Sequence, residues 1–221
     1  MKISQIKRVS LSEQAMNIIK AKIICADFKS GEKLRVDILA EKLDISRTPV
    51  RDALKALVEQ GLVMYNGIHY EVYAPTIEDL ENLFSIRGCL ESFAVKHAVK
   101  KITASKQTEL QQMRSEGNRL VESNQKESFL EYDRNLHDWI IRVAENQKLE
   151  SIIKGIQDQC WLIRNNFFRQ YDPNIETAAM QEHIHIINLM LNGEASAAGS
   201  AMEEHLLNSA QRMKSAFLIK K

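Results

Sequence analysis

Helix breakers are scarce in this chain: three prolines and eight glycines in 221 residues leave little to interrupt regular structure. Their scarcity, with no Ser/Gly/Pro tract, argues against a disordered low-complexity chain. Cysteine is sparse too. Cys25, Cys89 and Cys160 are odd in number, far apart and without the C-x-x-C spacing of a zinc knuckle or redox pair, so they read as buried free thiols. No apolar run approaches the roughly 18 residues that span a bilayer, and no signal-peptide pattern opens the sequence. A cytoplasmic location without membrane contact is the expectation. Neither sign of charge dominates overall, with 30 basic against 29 acidic residues, a net +1. The balance hides an asymmetry: residues 1–74 hold 12 basic and 9 acidic side chains (net +3), and residues 75–221 hold 18 and 20 (net −2). The basic front has the sign expected of a part that meets phosphate.

What is present favours helix. Leu, Ile, Ala, Glu, Lys and Gln are plentiful, and the length suffices for two modest domains. Residues 10–26 place Ala15, Ile18, Ile19, Ile23 and Ile24 at helical spacing, and Ser30-Gly31 lies in the break that follows. Residues 36–43 form a short second helix. After the tight connection Asp44-Ile45-Ser46, a third helix is capped by Ser46 or Thr48, tolerates Pro49 in its first turn and is stopped by Gly61. The period then changes. Leu62–Tyr65, Asn66-Gly67 and Ile68–Tyr73 read as a β-hairpin with a type I′ turn at Asn-Gly. Three helices and a hairpin give a winged helix-turn-helix over residues 1–74. Pro75-Thr76 marks its end. Residues 75–221 show only helical periodicity, over 76–100, 103–123, 126–145, 148–170, 174–192 and 194–217. The breaks fall near Thr103, Asn124, Asn146, Asp172-Pro173 and Asn192-Gly193, and such short loops predict antiparallel neighbours in an all-helical bundle. The fold class is therefore mainly α.

Arg47, Thr48 and Arg51 cluster in the first turn of the third helix, where a recognition helix meets base edges. Arginine can donate two parallel hydrogen bonds to guanine, and threonine can touch a phosphate or a thymine methyl. Arg35, just before the second helix, is placed to hold the DNA backbone. On charge alone, a solvated helix face is an equal reading. The stretch Gly31–Val63 closely resembles the DNA-binding domain of the GntR family of bacterial regulators. The resemblance is carried by Gly31, Leu34-Arg35, Leu39-Ala40, Leu43, Ser46–Arg51, Ala53-Leu54, Leu57 and Gly61-Leu62. It implies DNA contacts by Arg35, Ser46, Arg47, Thr48 and Arg51, made as a homodimer on a palindromic operator, more often as a repressor. One departure stands out. The wing, Tyr65–Tyr70, lacks the Arg or Lys usual at its tip, leaving Asn66, Gly67 and His69 to reach a phosphate or base.

The second domain raises a metal question. Asp133 and His137 are four apart on one helix and share a face. His183 lies ten residues before Gly193 and His205 twelve after it, so an antiparallel hairpin brings both to about 15–18 Å from the turn. Any one of these residues alone is more commonly a surface or hydrogen-bonded group. Together, three imidazoles and a carboxylate suit a divalent ion such as zinc, nickel or manganese. His69, His97 and His185 have no matching partners and read as non-ligands.

This domain also resembles the FCD ligand-binding domain of the FadR subfamily, in its shorter VanR-like, metal-binding form. The resemblance rests on Asp79-Leu80, Arg87, Leu90-Glu91, Asp133, His137, Asn146, Leu149, Glu182-His183, Met202 and His205-Leu206. Leu136 stands where that family usually has Phe. The resemblance implies Asp133, His137, His183 and His205 as metal ligands, with a small organic acid bound by its carboxylate toward the metal. Arg87 and Arg164 are candidate partners for that anion. An ion pair of Arg87 with Glu91 is the equal alternative, and Trp161, Phe167 and Phe168 could line core or cavity. Three other readings stay open: a metal-dependent enzyme on the same ligands, a regulator that senses the metal itself, and a metal-free acyl-ligand sensor.

Overall fold

The computed structural model describes residues 9–123, 126–167 and 173–218. The chain divides into two units, Met1–Pro75 with Trp161–Asn166, and Thr76–Cys160 with Phe167–Lys221.

In the first unit, Ser10 opens helix α1 (Leu11–Ile24) by accepting a hydrogen bond from the Glu13 amide, which otherwise has no intrahelical partner. Its buried stripe is Ala15, Ile19 and Ile23, spaced by four. Ile18, expected among the apolar positions, stays at the surface because it falls off that stripe. Strand β1 (Lys33–Leu34) lies in a segment the sequence had marked only as a break. Helix α2 (Val36–Leu43) ends on Asp44 with φ at 52°, a left-handed conformation that a short polar side chain tolerates. Helix α3 (Arg47–Glu59) buries Val50, Ala53, Leu54 and Leu57, and Gly61 beyond it takes φ 69° to turn the chain.

Strands β2 (Val63–Tyr65) and β3 (Tyr70–Val72) complete a three-stranded antiparallel sheet in the order β1-β3-β2. The hairpin corrects the expected turn. A two-residue loop at Asn66-Gly67 would set Tyr65 opposite Ile68, but Tyr65 pairs with Tyr70, leaving a four-residue loop. Only Gly67 of that loop has positive φ, whereas type I′ needs it at both central residues. Asn66 explains the longer loop: its Oδ1 accepts from the amides of Ile68 and His69, at 3.1 and 3.0 Å. The Tyr65 and Tyr70 rings, 4.6 Å apart, hold the register.

The second unit begins with helix α4 (Ile77–Val99), pinned at its start by a capping box. Thr76 Oγ1 accepts from the Asp79 amide at 3.1 Å, and Asp79 Oδ2 accepts from the Thr76 amide at 2.7 Å. Thr76→Ala is expected to lower stability by about 1 kcal/mol, read as a shifted denaturant midpoint at unchanged slope. Helices α5 (Ala104–Ser123), α6 (Lys126–Val143), α7 (Gln147–Phe167), α8 (Pro173–Leu191) and α9 (Ala195–Leu218) follow, so the six predicted segments are present with ends shifted by a few residues. The expected breaks at Asn124 and Asp172, and the side chains of Phe167 and Phe168, lie outside the described residues.

The most extensive packing is between helices distant in sequence. The first and last helices of the unit, α4 and α9, run against each other most extensively, followed by α8 with α9 and α5 with α8. Small residues permit the α4–α9 approach: Ala94 and Ala98 on one helix and Ala198 on the other are fully buried. A Cβ added at Gly88 would meet Glu203 at 3.5 Å, and one at Gly199 would meet Lys96 at 2.3 Å. Trp139, Ile140, Leu136, Ile186, Ile187 and Met202 fill the core between the helices. Leu136 is buried there, consistent with a role in packing.

The cysteines depart from expectation. Cys160 alone is buried, while Cys25 and Cys89 are exposed. Cys25 is the residue that closes α1, and Cys89 falls on the outward face of α4 with Ile86 and Phe93.

Candidate DNA interface and candidate metal centre

On α3 the buried residues take one side, and Arg47, Arg51 and Lys55, spaced by four, form an exposed basic stripe on another. Ser46 holds the N-cap position without a side-chain capping hydrogen bond, and it is exposed, as is Thr48. A groove of about 650 Å³ beside the helix is lined by Arg35, Arg51, Lys55, Tyr65 and His69. Lys55 was not singled out from the sequence, although its i, i+4 relation to Arg51 was there to be read. Arg35 is exposed and paired with Asp37, Nε to Oδ1 at 3.2 Å and the terminal nitrogen to Oδ2 at 2.6 Å. An exposed ion pair of this kind is weak enough to exchange its carboxylate for a phosphate.

The wing is less open to a ligand than its sequence position promised. His69 is half-buried, with Nε2 3.2 Å from Asn66 Nδ2 and 3.4 Å from Glu71 Oε2. Gly67 is exposed, and its carbonyl accepts from the Tyr65 hydroxyl at 2.9 Å. The side chain at the tip is apolar: Ile68 is 88% exposed.

In the second unit, Asp133 and His137 on α6, His183 on α8 and His205 on α9 each offer one ligand atom, all within 4.8 Å of one another. His183 Nε2 and His205 Nε2 are 3.0 Å apart. Asp133 Oδ1 lies 3.4 Å from His183 Nε2 and 3.8 Å from His137 Nε2. None of the four residues is more than 7% exposed. Ligands about 2.0–2.1 Å from a shared ion stand about 2.9–3.4 Å apart at right-angle to tetrahedral geometry, a spacing met by the His183–His205 and Asp133–His183 pairs.

Hydrogen bonding around the quartet decides its character. His137 Nδ1 contacts Glu91, which is wholly buried on α4 and also takes Nε of Arg87. His205 Nδ1 lies 2.7 Å from Glu182 Oε2. Arg212 holds that same carboxylate with two hydrogen bonds of 2.7 Å, and Asn208 adds one of 3.1 Å. Burial alone would raise the pKa of both glutamates. The adjacent charges of Arg87 and His137 bring Glu91 down to about 2, and hydrogen bonds from Arg212 and His205 do the same for Glu182. Ionised carboxylates only accept, so the Nδ1 atoms of His137 and His205 are the donors. In its neutral form each ring then carries a lone pair at Nε2. Burial lowers the pKa of His205 and favours that form. His137 Nε2, fully buried, has no hydrogen-bond partner. The Nε2 atoms of His137 and His205 and the Asp133 carboxylate thus converge with His183 on one point. Nitrogen and carboxylate ligand atoms gathered in this way fit a bound cation, and the buried, unpartnered His137 Nε2 is costly without one.

Of the two arginines considered for an anion, Arg87 is tied to this centre through Glu91. The ion-pair alternative is the contact observed. Arg164 lies in the α7 segment that groups with the winged unit, its guanidinium 5.5 Å from the Trp161 ring centroid. His69, His97 and His185 are not part of the cluster.

A winged helix-turn-helix with an outward basic stripe, followed by a separate helical unit, is the architecture of a DNA-binding transcription regulator. Residues 11–67 match the bacterial regulatory proteins of the gntR family and residues 82–208 match the FCD domain; the chain belongs to the GntR family and carries the FCD domain. It is 23% identical over 197 residues to the transcriptional repressor RspR of Escherichia coli K12, spanning 89% of this chain and 86% of RspR. It is 28% identical over 189 residues to the transcriptional regulator McbR of the same strain, spanning 85% and 83%. The solved structure of E. coli McbR/YncC shares the fold, with a TM-score of 0.72 at 21% identity over 97% of this chain and 100% of that one. The metal-free FCD domain of the regulator TM0439 shares it with a TM-score of 0.57 at 23% identity, over 66% of this chain and 99% of that one. These relatives are transcription regulators, not enzymes, so the enzyme alternative is set aside. No helix among the described residues is long and apolar enough to cross a membrane.

Proposed function

We propose that the chain is a homodimeric repressor whose hold on a palindromic operator responds to a small carboxylate bound beside a divalent metal ion. The single observation that carries the metal reading is the convergence of four buried ligand atoms, from Asp133, His137, His183 and His205, within 4.8 Å of one another. These four residues would hold the ion, zinc foremost, with nickel or manganese as alternatives. Three imidazoles and one carboxylate leave a coordination position for an anion on a metal that takes five or six ligands. When bound, the ion supplies a Lewis-acidic point for a carboxylate. The cationic partner of that carboxylate is assigned to Arg87, whose Nε engages Glu91 beside the ligands. Arg164 is the second candidate for that role.

On the DNA side, Arg47, Thr48 and Arg51 read the major groove while Arg35, Ser46 and Lys55 hold phosphates; Gly67 and His69 lie beside the minor groove. Pairing of two copies is supported by the outward stripe on α4, where Ile86 and Phe93 are 53% and 45% exposed on the same face as Cys89. DNA as partner puts the working location in the cytoplasm. The effector acts by differential affinity for two arrangements of the dimer, because half-sites one helical turn apart respond to a small change in recognition-helix spacing.

The test is operator binding at fixed salt by the metal-loaded protein, against a panel of hydroxy, sugar and aromatic acids. Weakened binding with one acid, abolished by His183→Ala, is the expected result. If chelation alone switches operator binding and no acid does, the ion is itself the signal. Ile68→Lys probes the wing separately: one cation near the phosphates should steepen the salt dependence of binding by about one unit of log–log slope. An unchanged slope places the wing tip away from the backbone.

A further inference from the structure

The four ligands do not account for the charged residues packed around them. Two arms of the same chemistry converge on the centre from different helices. On the first, Arg87 and Glu91 are one turn apart on α4, and Glu91 reaches across to Nδ1 of His137 on α6. On the second, Glu182 on α8, next in sequence to His183, accepts from Nδ1 of His205 on α9 and is gripped by Arg212 from the same helix. Each arm has the order arginine, glutamate, histidine, and each ends at the Nδ1 atom facing away from the other ligands.

Resting on the metal reading above, we infer that Glu91 and Glu182 are positioning residues of the metal centre. Each fixes the ring of one ligand histidine so that Nε2 is the coordinating atom. An imidazole can coordinate through either nitrogen, and the hydrogen bond at one decides which remains. A carboxylate at Nδ1 also makes the ring a stronger donor to the metal. The arginines serve a second purpose. Asp133, Glu91 and Glu182 together carry three negative charges, and Arg87 and Arg212 offset two of them. A divalent ion on the remaining single negative charge leaves the centre net positive, the sign that accepts one carboxylate. Without the arginines the loaded centre would be net negative and would repel it.

The arms differ in burial. Glu91 is wholly enclosed, whereas the Glu182 side chain is 24% exposed. Glu182→Gln is therefore the substitution better able to keep the fold, and it carries the test even if Glu91→Gln does not fold. The probe is Co²⁺, titrated into metal-stripped full-length protein in competition with a chelating dye. Each variant is expected to bind Co²⁺ about 10–100-fold more weakly than wild type at unchanged helicity. Proton NMR of the Co²⁺-loaded protein gives a readout that a merely structural role would not move. Wild type should show exchangeable, strongly shifted imidazole N–H resonances from His137 and His205, and Glu182→Gln should shift or broaden the His205 signal while sparing that of His137. Wild-type affinity in Glu182→Gln with its N–H signals unmoved overturns the positioning role alone. Failure of the wild-type protein to bind Co²⁺, Zn²⁺, Ni²⁺ or Mn²⁺ overturns it together with the metal reading.

Discussion

Stripping the divalent ion from the loaded protein should lower its thermal midpoint by about 8–16 °C. A ligand present at a thousand times its dissociation constant stabilises the folded state by about 4 kcal/mol. For a chain of this length each kcal/mol moves the midpoint by about 2–4 °C. The expectation is sharpened by what the ion would satisfy, since His137 Nε2 is buried without a hydrogen-bond partner and Asp133 adds a further acceptor beside it. Differential scanning calorimetry with and without chelator measures the shift. His183→Ala supplies the control, because it should bind little metal and melt at nearly one temperature in both conditions. A wild-type shift below about 2 °C, with metal shown to be bound beforehand, would mean that the ion contributes little to folding.

Arg51→Ala should weaken operator binding by about 1–3 kcal/mol, a loss of roughly 5–150-fold, and relax the sequence preference at the base pair it reads. Arg47→Ala should behave alike. Lys55→Ala should instead weaken all sequences equally and flatten the salt dependence by about one unit of slope. The three side chains are exposed on α3, so their removal leaves the Val50, Leu54 and Leu57 core untouched and the melting curve in place. Fluorescence anisotropy on operator and scrambled duplexes at several salt concentrations separates the two patterns. Unchanged operator affinity in both arginine variants would rule out α3 as the reading helix.

The parts of the structure that were legible from sequence are those set by local spacing. Ser46 to Gly61 delimits α3: Ser46 takes the extended N-cap backbone without a side-chain capping bond, and Gly61 supplies the positive φ, both properties of the immediate chain. The metal quartet was legible for a related reason. Asp133 and His137 share a helix face, and similar distances from the Asn192-Gly193 turn, ten and twelve residues, bring His183 near the level of His205. Long-range contacts were not readable in the same way. Glu91 lies 46 residues from His137, and Glu182 lies 23 from His205, so no periodicity connects them. The sequence marks Glu182 only through the family resemblance, and Glu91 through that resemblance and its i, i+4 relation to Arg87. The hairpin loop was misread because Asn-Gly favours a two-residue turn locally, whereas the Asn66 side chain closes a longer loop and the Tyr65–Tyr70 pair fixes its register. Strand β1 was missed because two residues carry no alternation to detect.

The distribution of the three thiols turns the chain into its own chemical reporter. Cys25 is exposed in the winged unit and should alkylate under all native conditions, which makes it an internal standard. Cys89 shares the outward face of α4 with Ile86 and Phe93, so its labelling rate should fall as two copies pair on that face. Cys160 is enclosed, and burial pushes its thiol up to about 11, so it should stay silent until the helical unit opens. One time course of maleimide labelling, resolved by mass spectrometry, would then follow association and unfolding together in the unmodified protein.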